Sequence, residues 1–204
     1  MLIANGISKK YDTVLFSNFN IFLKPQQTLA ILGKSGCGKS TLLYMLSTLL
    51  APDSGEVIYN NKNVYKISED ERLEIRRKDF GIIFQQHYLF KGFSAYENIE
   101  LASVLSNKKI DENILDFLGI KHILQKKANE LSGGEQQRIS IARVLCKKPK
   151  IIFADEPSGN LDPNNAKIAI KLLCDYAKNN NSSLFLITHD ESLASMCDKV
   201  IRIS

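Results

Sequence analysis

Apolar and polar positions follow two periods along this chain, one suited to strands and one to helices. Apolar stretches at 2–7, 19–23 and 28–32 predict strands. Residues 56–59 and 64–67 flank Asn60-Asn61, a pair tolerant of positive φ, and predict a hairpin. Ser68 with Glu71 three positions on is a capping box that opens a short charged helix to about Arg77. Residues 81–84 form another apolar strand. Ser94 with Glu97 caps a second helix, and residues 111–118 a third, stopped by Gly119. A helix over about 134–146 precedes residues 150–154, whose lack of polar alternation marks a strand buried on both faces. Asp162-Pro163 supplies an N-cap and first-turn proline to a helix with Ala166, Ile170, Leu173 and Ala177 on one face. Residues 184–187 and 200–203 are further strands.

Buried strands alternating with helices predict an α/β fold on a mostly parallel sheet. The early strands and the hairpin predict a small antiparallel β subdomain, and residues 86–149, almost entirely helical, a helical insertion. One domain over 1–204 is expected, with 1–85 and 150–204 as the α/β core and 86–149 as the helical subdomain. The pattern leaves the strand order open. A chain of 204 residues with 44% hydrophobic and 24% charged positions excludes long disorder. The longest apolar runs, 151–154 and 184–187, are strand-sized, far below the ~18–20 residues of a membrane span. The first residues lack the basic start and long apolar region of a secretory signal. Cys37, Cys146, Cys174 and Cys197 are scattered, which suits a reducing compartment and argues against a disulfide framework or a zinc site. The net charge of +5 comes from 21 Lys and 6 Arg against 22 acidic residues. Base-edge and bidentate phosphate reading favours the planar fork of Arg, so no nucleic-acid partner is expected, and the short basic runs read as solvated faces.

Candidate chemistry begins at residues 33–40, GKSGCGKS, which fit G-x-x-x-x-G-K-[ST]. The motif follows the strand at 28–32 and opens a helix expected to run through Leu49. Gly33, Gly36 and Gly38 let the backbone wrap an anion, and the helix start adds free N–H groups. Lys39 can reach β/γ oxygens, and the Ser40 hydroxyl can ligate Mg²⁺. Lys34, Ser35, Cys37 and Thr41 complete the predicted nucleotide-binding turn. Residues 151–156, IIFADE, deliver Asp155 and Glu156 at the end of a buried strand. Alone such a pair is more often a helix cap or loop charge. Behind a phosphate loop, Asp155 suits the Mg²⁺ shell and Glu156 the attacking water. His189, ending another buried strand, could contact the γ-phosphate or that water. His87 and His122 read as structural.

Residues 131–138, LSGGEQQR, place Ser132 as a helix cap and Gly133-Gly134 beside the helix's positive end. This is a second anion site with no catalytic group of its own. Two such sites about 100 residues apart suggest that one serves a neighbouring molecule.

Taken together, the chain resembles the ATP-binding cassette of ABC transporters, over almost all its length and with the motifs in family order. GKSGCGKS resembles the Walker A loop, Gln85 the Q-loop glutamine, and LSGGEQQR the signature with Ser132, Gly133, Gly134 and Gln136. IIFADE resembles Walker B, SGNLD with Ser158 and Asp162 the D-loop, and His189 the switch histidine. Tyr11, 22 residues before Gly33, stands where the family stacks an aromatic on adenine. The resemblance implies a head-to-tail homodimer that closes on two ATP molecules, with Mg²⁺ held by Ser40, Gln85 and Asp155. Catalysis would fall to Glu156, His189 and Lys39. It also implies an integral membrane permease as partner, so that the cassette lies on the cytoplasmic face of the inner (plasma) membrane without inserting into lipid. Gln85 would relay the nucleotide state to that permease, and the apolar segment 87–93 suits either a docking groove or a buried turn.

The string EPSGNLD is similar to a branch that includes lipoprotein-release, macrolide-export and cell-division ATPases. Pro25-Gln26-Gln27 departs from the family's usual turn, and the segment from Gln85 to Ser132 is shorter than usual. The chain stops soon after the last strand, so neither a C-terminal regulatory domain nor a fused permease is expected. An ABC ATPase acting on ribosomes or DNA is the alternative. One set of motifs and no long heptad run count against it, while a structural ABC role at the membrane stays open.

Overall fold

The computed structural model describes residues 1–159 and 161–203, and among them two sheets and seven α-helices. In chain order the elements are β1 (Leu2–Lys10), β2 (Val14–Leu23), β3 (Thr28–Leu32), α1 (Lys39–Leu46), β4 (Ser54–Tyr59), β5 (Lys62–Asn63), α2 (Glu69–Lys78), β6 (Phe80–Ile83), α3 (Ala95–Ser106), α4 (Glu112–Phe117), α5 (Gly133–Leu145), β7 (Ile151–Asp155), α6 (Pro163–Asn179), β8 (Ser183–Thr188), α7 (Glu191–Ala194) and β9 (Lys199–Arg202). The smaller sheet has the order β2-β1-β4-β5, and each pair in it is antiparallel. The larger sheet has the order β6-β7-β8-β3-β9 and is parallel throughout.

The parallel sheet sorts its side chains by a period of two. Leu29, Ile31, Ile151, Phe153, Phe185 and Ile187 go to one face, where they pack with α1 and the small sheet. Ala30, Ile152, Ala154, Leu184 and Leu186 go to the other, against α5, α6 and the helical segment. Both faces are covered, which is why β7 and β8 are buried at every position. Among the described residues no helix is long and apolar enough to cross a membrane.

Three expectations need correction. The helix after the glycine loop ends at Leu46, not Leu49. Thr48 takes a left-handed φ of 67°, its N–H meets Met45 O, and Leu49 N–H meets Tyr44 O, the two bonds of a Schellman stop. The second hairpin strand is Lys62–Asn63 rather than 64–67. Asn60 and Asn61 both take positive φ, so the turn uses only those two residues and Tyr59 pairs directly with Lys62. Within 86–149, residues 86–94 form no helix, and only α3, α4, α5 and two short 3-10 turns are helical.

Candidate nucleotide site

The strand order places the chemistry. Strands β7, β8 and β3 lie side by side and parallel, with Asp155 beside Ile187 and Thr188 beside Leu32. Their carboxyl ends therefore bring Asp155-Glu156, His189 and the loop from Gly33 to one edge, where α/β sheets bind ligands.

The glycine loop meets its geometric demands with particular residues. Gly38 precedes α1 at φ 91°, a conformation that disfavours any side chain, and a Cβ there would come within 2.6 Å of Leu15. Gly33 approaches β9 so closely that a Cβ would meet Ile203 O at 2.5 Å. Lys39 is 4% exposed and donates to Gly33 O at 2.9 Å and Lys34 O at 2.7 Å. The ammonium thus sits in the mouth of its own loop, held by carbonyls. The Cys37 thiol turns toward Ile203 O at 4.0 Å.

Tyr11, Leu15, Ser35, Gly36, Gly38, Lys39, Ser40, Thr41, Gln85 and Glu156 line one open cleft of about 410 Å³. Nine of these ten residues were singled out from sequence. Leu15 was missed, because an apolar residue near the start of β2 carries no motif. Tyr11 occupies the turn between β1 and β2, 57% exposed, with the Lys9 ammonium 5.7 Å from its ring centroid.

Asp155 is buried at the end of β7. Burial pushes its carboxyl above the usual carboxylate range. A hydrogen bond from the Ser40 hydroxyl and the Lys39 charge oppose that shift, and the Glu156 charge adds to it. Folded chain therefore holds this proton more tightly than unfolded chain. The group's stability contribution is present below the unfolded pKa and is lost as pH rises through the folded one. At neutral pH the buried charge is a standing cost. Asp155→Asn is expected to stabilise the chain by about 1 kcal/mol, raising Tm by about 2–4 °C, while abolishing Mg²⁺-dependent hydrolysis. Calorimetry at pH 7 checks the sign; a lower Tm contradicts the charge-burial argument.

Glu156 follows with φ 43°, strained for a residue with a Cβ, while its N–H still meets Ile187 O. The turn carries its carboxylate off the ladder and into the cleft. Its Oε2 accepts from His189 Nδ1 at 3.0 Å, so the imidazole, itself largely exposed, already leans on it.

The glycine-rich turn at 131–138 lies apart from this cleft. Ser132 caps α5 by accepting from Glu135 N–H at 3.3 Å, and Glu135 answers Ser132 N–H at 2.7 Å. Gln136 donates to Leu131 O at 3.0 Å. Gly134 faces Leu161, whose Cδ2 would touch a Cβ there at 3.4 Å. Asp162 caps α6, accepting from the N–H groups of Asn164 and Asn165. Ser158, Gly159 and Leu161 connect β7 to that cap; Asn160 lies outside the described residues. Ser132, Gly133, Gly134, Gln136, Ser158 and Asp162 are not among the cleft-lining residues.

A parallel sheet that runs one strand into a glycine loop and helix, with an acidic pair ending a nearby strand, defines a P-loop nucleoside triphosphatase. The chain belongs to the ABC transporter family, whose model matches residues 16–159, and it is the family's ATP-binding, ATP-hydrolysing cassette. The lipoprotein-releasing system ATP-binding protein LolD of Wigglesworthia glossinidia brevipalpis is 36% identical over 214 aligned positions, covering 100% of this chain and 93% of that protein. LolD of Treponema denticola is 37% identical, covering 97% and 92% respectively. The dimeric post-hydrolysis structure of the ATP-binding cassette MJ0796 with ADP and Pi superposes with a TM-score of 0.92 at 30% identity, covering 100% of this chain and 94% of that one.

Proposed function

We propose that two copies of this chain, arranged head to tail, clasp two ATP molecules and so drive a membrane complex of the lipoprotein-release type. The observation that carries this is the division of the site. The cleft collects Lys39, Ser40, Gln85 and Glu156, yet the Ser132 turn, a ready anion site, lines no part of it. The dimeric state of the MJ0796 cassette and the LolD relatives support the same reading.

In this reading Tyr11 and Leu15 receive the base, and the loop from Gly33 to Thr41 receives the phosphates. Lys39 must exchange its two carbonyls for β/γ oxygens. Glu156 orients and deprotonates the attacking water, and His189 holds Glu156 until the γ-phosphate arrives. The residues suit Mg²⁺. Ser40 hydroxyl meets a desolvated Asp155 carboxylate that gains from a cation, and Gln85 lines the same cleft. Those three would hold the ion, which when bound supplies charge neutralisation at the phosphates. The opposite side of the site comes from the second copy's Ser132, Gly133, Gly134 and Gln136, flanked by the segment of Ser158 and Asp162. ATP closes the pair because these contacts exist only when it is closed.

The permease would sit beside the helical segment. Tyr88, Phe90 and Phe93 are 62%, 51% and 43% exposed on the stretch that follows Gln85, an exposed apolar surface. The cassette is thereby held at the cytoplasmic face of the inner membrane through its partner, without inserting into lipid and without a nucleic-acid role. Affinity capture from detergent-solubilised membranes is expected to recover an integral membrane protein with a large extracytoplasmic domain. Recovery of ribosomal proteins in its place contradicts the reading.

A further inference from the structure

The stretch from Phe84 to Phe93 joins β6 to α3 with no strand or helix of its own, so other elements must hold it. On the nucleotide side, the Phe84 ring lies 6.3 Å from Tyr44 of α1 and 5.2 Å from Tyr88. On the α3 side, Asn98 is fully buried and brackets Phe90, accepting from its N–H at 2.8 Å and donating to its carbonyl at 3.2 Å. Between these anchors one side chain takes two successive carbonyls. Arg143 Nη1 donates to Tyr88 O and Nη2 to His87 O, each at 2.8 Å.

Arg143 belongs to the last turn of α5. The same helix begins at Gly133, capped by Ser132, so its two ends serve different tasks. Ten residues at 1.5 Å each separate them by about 15 Å of rigid helix. Burial alone draws the guanidinium below its ordinary value, which leaves the two carbonyls as its compensation. A planar fork suits this geometry; a lysine ammonium could satisfy it only in part.

We propose that Arg143 is the positioning residue that ties the loop after Gln85 to the end of α5 opposite the glycine-rich turn. Any displacement of Gln85 on loading of the cleft is then carried through Arg143 and along α5 to Ser132 and Gly134. The proposal rests on the composite-site reading, in which that turn serves a second copy. Arg143 is not among the residues that line the cleft, and acts through the other two elements.

The test uses the full chain, with kcat and KM measured while Glu156 is in place and dimer formation measured in a Glu156→Gln background in which ATP-held dimers accumulate. Arg143→Ala is expected to bind a fluorescent ATP analogue within about twofold of the parent. Its kcat should fall at least about tenfold with KM little changed, and its ATP-held dimer should need about tenfold more protein to form. Arg143→Lys, which keeps the charge but has a single nitrogen in place of the fork, should fall between the two in kcat and in dimer yield. It decides the matter if the alanine variant fails to fold. A lysine variant that loses nucleotide affinity in step with kcat assigns Arg143 a merely structural part and overturns the proposal. Parent-like kcat and dimer yield in either folded variant also overturn it. A Glu156→Gln parent that never forms an ATP-held dimer overturns this proposal together with the composite site beneath it. A parent that dimerises beside an alanine variant that dimerises equally overturns the Arg143 assignment alone.

Discussion

Glu156→Gln is expected to slow ATP hydrolysis by about 10²–10⁴, the range lost with a general base, and to leave ATP affinity near that of the unmodified chain. The argument is local. A carboxamide fills the same space at the end of β7 and its oxygen can still accept from His189 Nδ1, now 3.0 Å from Glu156 Oε2. What it cannot do is take a proton from water. Phosphate release under single turnover reads the chemical step, and size exclusion with ATP reads the dimer that should accumulate when opening is blocked. Hydrolysis at the unmodified rate would show that the base lies elsewhere. A variant as slow as expected that stays monomeric with ATP would keep Glu156 but remove the two-copy enclosure.

Lys39→Ala should act a step earlier, on binding. Of the two lysines in the loop, Lys39 is the buried one, its ammonium aimed at the mouth by Gly33 O and Lys34 O. Its loss removes a charge-assisted contact to the β/γ oxygens worth about 1.5–3 kcal/mol, or roughly ten- to hundredfold in ATP affinity. Equilibrium binding of ATP by calorimetry checks this, and unchanged affinity would falsify the phosphate cradle. ADP should suffer less than ATP, because Lys39 is expected to reach the γ-phosphate as well as the β.

Much of this site was legible because its physics is local. The glycine loop needs a preceding strand, a following helix and three residues free of Cβ clashes, and 28–46 contains all of them in order. Capping boxes were equally plain at 68–71 and 94–97, since Ser and Glu three positions apart satisfy each other without outside help; at α5 the Ser132 cap was read, but not the Glu135 that completes a third box. The stop of α1 was not legible. Thr48 does the work usually given to glycine, pinned by Arg76, whose Nη1 donates to Thr48 O at 3.1 Å from a helix nearly thirty positions on. Distance also hid the pairing of Glu156 with His189, which depends on β7 and β8 being neighbours, a fact of strand order that periodicity does not encode. Arg143 was hidden for the same reason. In sequence it is one more charge on an amphipathic helix, and only the fold brings it to the carbonyls of His87 and Tyr88.

The cap on α5 has a bearing on how an anion could be received there. A serine hydroxyl has two lone pairs and one proton. Glu135 N–H occupies a lone pair of Ser132, and the hydroxyl proton is shared with the Glu135 carboxylate, which it helps hold below its ordinary value. Donating to an anion instead would take only a rotation of that proton away from Glu135, with the bond from the Glu135 N–H kept. In the proposed two-copy site the turn would then meet a triphosphate without unwinding, at the cost of one proton's rearrangement.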